Sequence, residues 1–193
     1  MAVTYRILRS MSEQRLDDVL PAAQAGQPWA LRVLYDELAP RVHGYLRSRG
    51  ASEPEDLTSE VFLAVFPRLG TVAGGAAGLR TLVFSVAHAR LVDDLRRRNR
   101  REPTVEFDAG SHDRQAPSSE DEALASLATD EVRELLARLP DDQRDVLLLR
   151  VVADLSLEQV AQAMGRSTGA VKQLQRRGLI TLRTHVEEGG VPQ

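Results

Sequence analysis

A single glycine, Gly165, separates two short helical rhythms near the C-terminal end of the chain. Leu157, Val160, Ala161 and Met164 precede it, and Val171 and Leu174 follow it. Ser156 and Gln159 stand at capping-box spacing and open the first helix. Ala161 is small where two crossing helices must approach closely. Gly165 falls where the turn needs a positive φ. Ser167 or Thr168 can cap the second helix. With Val171 and Leu174 turned back towards Val160 and Met164, the residues Lys172, Gln173, Arg176 and Arg177 are left facing outward. Two short helices joined by such a turn form a helix-turn-helix.

That outward face has a chemistry of its own. Between Arg166 and Arg183 there are five basic residues and no acid. A recognition helix in a major groove presents Arg, Lys and Gln to base edges, and its first turn offers backbone N–H groups and small hydroxyls. Basic side chains there also bind phosphate by releasing counterions. The candidate DNA contacts are therefore Arg166, Ser167, Thr168, Lys172, Gln173, Arg176 and Arg177. The plainer reading is a helical hairpin with a solvated basic face. The net charge is −3, so any nucleic-acid surface must be a local patch.

The remaining chain is also helical in pattern, and no stretch alternates convincingly as a strand. Leu31, Leu34, Leu38, Val42, Tyr45 and Arg49 step by three or four behind Pro28, and Gly50 ends that run. The next helix starts near Pro54, with Ser52 as its cap, and carries the stripe Leu57, Val61, Val65 and Leu69. A Gly/Ala loop over 71–78 precedes a helix over 79–99 that packs through Leu82 and Val86, with Val83 on the flank. Periodicity then stops. Residues 102–121 contain Pro103, Gly110, Pro117 and six acids against Arg114 alone, which reads as a flexible acidic linker. The expected fold is all-α, with two small helical domains joined by that linker, over 12–101 and 122–187. Residues 1–11 are expected to be disordered or upstream of the true start, since Met11 offers an alternative one. Residues 188–193 form a tail.

Composition excludes several function classes. The absence of cysteine removes disulfides, thiolate metal sites and a cysteine nucleophile. No run reaches the roughly 18–20 apolar residues of a membrane span, and Met1–Ser10 lacks the apolar core of a secretory signal. The expected location is cytoplasmic, without membrane insertion. His43, His88, His112 and His185 are scattered singles without ligand spacing, so no metal is implied. His88 is read as DNA-facing or solvated. Gly74-Gly75 lacks the Lys-Ser/Thr of a phosphate loop, and no cofactor is implied.

A second basic cluster ends the first helical block. Arg90, Arg96, Arg97, Arg98, Arg100 and Arg101 face only Asp93 and Asp94. Alone it reads as a solvated helix end; beside a helix-turn-helix across a linker it suggests a second contact on one nucleic acid. Asp56 and Glu60, four residues apart, share one helix face and could pair with a partner's arginines. The plainer reading is a solvated acidic face. Nothing nearby would tune the two carboxylates for acid–base catalysis.

These segments together resemble the extracytoplasmic-function group of bacterial sigma-70 RNA polymerase sigma factors. The first stretch runs from Leu34 to Val42, then from Pro54 to Phe66, then from Val86 to Arg98, and is similar to the family's domain two. The second runs from Leu136 to Arg150 and into the helix-turn-helix, and is similar to domain four. The resemblance implies that Glu55, Asp56, Leu57, Glu60, Val61 and Phe62 bind the clamp helices of the largest subunit of core RNA polymerase. It implies a further contact with the flap of the second-largest subunit. Arg80, Arg90, Arg96, Arg97 and Arg100 would contact the minus-ten promoter DNA as it opens, and the helix-turn-helix would read the minus-thirty-five element. An anti-sigma factor is implied as inhibitor. The protein would be no enzyme itself, since nucleotide addition belongs to the polymerase. This sequence has Leu82 where the family pattern has Trp, and Ala89 where it has Asn. Gly178 replaces a common Ala, and Leu179-Ile180 stand where basic residues are frequent. A conventional two-domain helix-turn-helix regulator is the alternative, but a sensor domain needs neither the 90–101 arginines nor the Pro54–Phe66 segment.

Overall fold

The computed structural model describes residues 2–101 and 130–189. The linker expected over 102–121, the start of the second domain over 122–129 and the end of the tail lie outside the described residues. Those residues form two helical domains without a strand. The first contains α1 (Ala2–Gln24), α2 (Pro28–Ser48), α3 (Pro54–Val65), a 3-10 turn (Phe66–Thr71) and α4 (Gly75–Arg101). The second contains α5 (Asp130–Ala137), α6 (Asp141–Val151), α7 (Leu157–Met164) and α8 (Thr168–Gly189).

Aliphatic stripes build the first core. Leu34, Leu38, Val42 and Tyr45 of α2 meet Leu57, Val61 and Val65 of α3, and all are buried. Leu16, Leu20 and Ala23 of α1 close one side. Pro28 starts α2 and Pro54 starts α3, where their fixed φ suits a first helical turn.

Four details depart from the expectation. Helix α1 runs back to Ala2, through residues that the sequence reading places outside the domain. Ser52 does not cap α3; Glu53 occupies that position without a side-chain cap bond. The Ser52 hydroxyl instead donates to Asp94 Oδ1 at 2.9 Å, tying α4 to the loop before α3. Helix α4 begins at Gly75, inside the expected loop, because α1 supplies its cap: the Ala76 N–H donates to Asp17 Oδ1 at 2.6 Å. The core face of α4 is Leu79, Val83, Phe84, Val86, Ala87 and Leu91; Val83 and Val86 are buried as expected, whereas Leu82 is only partly buried.

The two domains are packed together. Helix α7 lies along α4, and the buried apolar residues of both halves form one continuous cluster.

Candidate nucleic-acid interface

The helix-turn-helix forms as its spacing predicts. The Ser156 side chain accepts the Gln159 N–H at 3.2 Å, and Gln159 Oε1 accepts the Ser156 N–H at 2.6 Å, which completes the capping box. Gly165 ends α7 at φ 62°, ψ 35°, the left-handed conformation that glycine adopts without a Cβ clash. The Ser167 hydroxyl accepts the Ala170 N–H at 3.2 Å and so opens α8. Val160 and Val171 are fully buried between the two helices.

Lys172, Gln173, Arg176 and Arg177 are all exposed on α8. Among the described residues, the three cations of this group have no ion pair. Arg166 is exposed but engaged, with Nη2 2.6 Å from Asp142 Oδ2. Leu179 and Ile180 are about half exposed and border Lys172, Gln175 and Arg176 in a shallow depression. Their exposed halves are open to a partner. Gly178 lets α8 approach α6: a Cβ there would sit 3.1 Å from Leu147 Cδ1.

The α4 arginines differ among themselves. Arg80 is 3% exposed, and its Nη2 lies 2.6 Å from Glu13 Oε1. It holds α1 to α4 and does not face DNA here, which corrects the expectation for this residue. Helix α1, outside the recognised segments, supplies the acid that draws it inward. Arg90, Arg96, Arg97 and Arg100 are exposed. Arg90 is 3.7 Å from Glu60 and Arg97 is 3.7 Å from Asp94. Ala89, where the family pattern has Asn, is exposed on this surface.

On α3, Glu55, Asp56 and Glu60 are exposed, but Leu57, Val61 and Phe62 are buried core residues that cannot meet a partner directly. Leu63 is 73% exposed. The spacing 56, 60, 63 puts it on the acidic face, a helical signal that the sequence reading passes over. Tyr35 of α2 lies beside this face, its ring 4.8 Å from that of Phe62.

His88 is neither DNA-facing nor solvated. It joins a buried cluster between the domains that sequence reading also passes over. Asp145 of α6 and Arg49, just past α2, are 3% and 5% exposed. Arg49 Nε donates to Asp145 Oδ1 at 2.6 Å, and its Nη1 donates to Asp141 Oδ1 at 3.1 Å. The Tyr45 hydroxyl donates to Asp145 Oδ1 at 3.1 Å and lies 2.9 Å from His88 Nδ1. One hydroxyl proton serves one acceptor. With it on Asp145, a protonated His88 Nδ1 donates to the Tyr45 oxygen, and every donor then runs towards the carboxylate. Burial, then Asp145, pushes the Tyr45 pKa far up. Burial alone would lower that of Arg49, but Asp145 and Asp141 raise it. Burial lowers His88 below the ordinary imidazole value of 6.5, against the pull of Asp145.

Comparison with known proteins decides the family. Residues 34–101 match the family model for sigma-70 region 2, and residues 135–184 match sigma-70, region 4. The chain is 33% identical over 204 residues to the ECF RNA polymerase sigma factor SigD of Mycobacterium tuberculosis (strain H37Rv), covering 97% of this chain and 92% of SigD. It belongs to the extracytoplasmic-function RNA polymerase sigma factors. BldN of Streptomyces coelicolor, of the same family, is 33% identical over 173 residues; that match spans 87% of this chain and 64% of BldN. Two solved structures share the fold. CnrH in complex with the cytosolic domain of CnrY has a TM-score of 0.63 at 16% identity, covering 90% of this chain and 97% of CnrH. RpoE from Bartonella quintana in complex with the anti-sigma factor NepR has a TM-score of 0.62 at 17% identity, covering 81% and 96%. A sigma factor directs promoter-specific transcription and is not an enzyme, so the reading as a conventional regulator gives way. Among the described residues, no helix is long and apolar enough to cross a membrane.

Proposed function

We propose that this sigma factor binds core RNA polymerase in the cytoplasm through the outer face of α3 and reads promoter DNA with α4 and α8. The first domain spans 12–101 and the second 122–187, joined by the acidic linker over 102–121. Glu55, Asp56 and Glu60, with exposed Leu63 and Tyr35 beside them, offer carboxylates and apolar surface to the clamp helices of the largest subunit. Leu57, Val61 and Phe62 shape that face from beneath. Leu179 and Ile180 offer a second apolar contact, for the flap of the other large subunit or for an anti-sigma factor. Arg90, Arg96, Arg97 and Arg100 contact the minus-ten strand. Arg166, Ser167, Thr168, Lys172, Gln173, Arg176 and Arg177 contact the minus-thirty-five element. The observation that carries this reading is the outward face of α8, where exposed Lys172, Arg176 and Arg177 have no ion pair among the described residues. That is the state of a surface ready to replace counterions on phosphate.

The experiment is transcription from genomic promoter fragments by core polymerase with and without the purified protein. Discrete start sites that need the protein support the reading; their absence from a well-folded sample overturns it. The Asp56→Arg/Glu60→Arg double variant should keep its helical content yet lose copurification with core polymerase. Normal copurification would remove this face from the interface.

A further inference from the structure

We propose that Asp17 and Gln24 of α1 are positioning residues for promoter opening: they fix the turn that aims α4 at the minus-ten DNA. This rests on the reading of α4 as the helix that contacts that strand. Helix α1 precedes residues 34–101, which match the sigma-70 region 2 model. Neither residue belongs to a DNA or polymerase surface proposed above.

The turn has no means of holding its own shape. The chain leaves α3, the proposed polymerase-binding helix, through the 3-10 turn Phe66–Thr71 and enters α4 at Gly75. Residues 72–78 contain only Val, Ala and Gly, so none of their side chains can hydrogen-bond. Gly74 and Gly75 take positive φ, 80° and 61°. Two adjacent glycines leave such a turn many alternative shapes.

Helix α1 supplies what the turn lacks. Gln24 Nε2 donates to the Leu69 and Val72 carbonyls, both at 3.0 Å, which uses both amide hydrogens. Asp17 Oδ1 accepts the Ala76 N–H at 2.6 Å, a charge-assisted bond at the positive end of α4. The two side chains thus grip the turn before and after its glycines. Asp17 comes so close that a Cβ on Gly75 would sit 2.3 Å from its Oδ1. Glu13 holds Arg80, one turn further along α4, at 2.6 Å. At about 3.6 residues per turn, Glu13, Asp17 and Gln24 fall within about 40° of one another on α1. That polar edge runs beside the buried Leu16 and Leu20. Apolar burial docks α1, and the polar edge sets the turn.

Opening is the step most sensitive to that setting. Unstacking a base costs free energy that only contacts to the opened strand offset. Arg96 lies about 30 Å along α4 from Ala76, at ~1.5 Å per residue, so a tilt of about 5° at the first turn moves it by roughly 2.6 Å. Catalytic contacts fall off steeply with such misplacement. Attraction of phosphate to exposed arginines depends far less on angle. A loosened turn therefore impairs opening more than it impairs the holding of a strand already open.

The test gives core polymerase the full-length protein on two templates. One is a promoter found in the transcription experiment. The other is the same promoter with its minus-ten positions mismatched, so that the strand is already open. Asp17→Ala and Gln24→Glu remove the bonds at exposed positions: alanine has no acceptor, and a carboxylate has no hydrogen to donate to a carbonyl. Each should lower transcript yield from the duplex promoter about tenfold and stay within about twofold of the parent on the mismatched one. Asp17→Asn keeps an amide oxygen for the Ala76 N–H and should restore most of the duplex activity. Copurification with core polymerase and thermal melting are followed in parallel and should match the parent. A merely structural role lowers both templates alike, because less folded protein reaches each. Equal losses on the two templates, parent-like activity of both Asp17→Ala and Gln24→Glu, or an Asp17→Asn as defective as Asp17→Ala overturns the assignment. Should Asp17→Ala fail to fold, Gln24→Glu decides. Absence of transcripts from the parent on both templates overturns the proposed function and the positioning role with it.

Discussion

Helices α4 and α8 both carry basic clusters, and the two clusters are put to different use. On α8, Lys172, Arg176 and Arg177 stand exposed without an ion pair among the described residues. On α4, Arg80 is buried against Glu13, Arg90 reaches Glu60, Arg97 reaches Asp94, and Arg98 donates to the Gly50 carbonyl at 2.7 Å. Basic side chains thus serve in part as fastening on α4, whereas the three on the first half of α8 stand without an ion pair among the described residues. The deciding factor is whether a carboxylate from another element arrives at the same spot. Local charge density does not report that.

Three measurements would break or sharpen this contrast. The largest effect is expected at Arg80→Ala. It strips a buried cation from Glu13 and should lower stability by about 2–3 kcal/mol, the low end for a broken buried pair because Glu13 is partly exposed. Chemical denaturation measures the loss, while the salt dependence of DNA binding by the folded fraction should stay unchanged. Arg176→Ala/Arg177→Ala should do the reverse. Melting should hardly move, and the slope of log affinity against log salt should shrink by about 2. A preserved slope would remove both residues from the DNA interface.

The smallest effect is expected from pH, through the one weak base that α4 turns inward. His88 faces Tyr45 and Arg49 from the first domain, and Asp142, Asp145 and Arg166 from the second. Its pKa is lowered while the two domains are packed together, the closed form, chiefly by burial, and returns towards 6.5 when they separate into an open form. The open form therefore binds more protons, and stability of the closed form rises with pH. The closed form should be fully favoured above the ordinary imidazole value and should weaken as pH falls below it. The domain distance should lengthen between about pH 7.5 and 5.5, and His88→Gln should abolish that response. An identical response in His88→Gln would assign the titration elsewhere.

The sequence was most legible where neighbours in the chain decide the structure. The Ser156–Gln159 capping box, the Gly165 turn and the stripe Leu57, Val61, Val65 depend on spacings of three to eight residues. Legibility failed where the decisive partner is far along the chain. Arg49 and Asp145 are 96 residues apart, and nothing near either one names the other. The start of α4 differs from the sequence expectation for the same reason. Residues 72–78 contain only Val, Ala and Gly, so they offer no capping side chain, and the acceptor comes from Asp17. Within the candidate site, the helical period puts Asp56 and Glu60 of α3 on one face, and both are exposed. Burial of Leu57, Val61 and Phe62 beside them follows from the same helical period, applied to the opposite face.

Gln159 spends both ends of its amide. The oxygen closes the capping box, and the nitrogen holds the Ala77 carbonyl of the other domain. Glutamate at this position would cap α7 equally well, but a carboxylate has no hydrogen to offer a carbonyl. A change of one atom in one side chain therefore separates the capping of α7 from its attachment to α4. The docking of the two domains can thus change while the fold of the helix-turn-helix stays as it is.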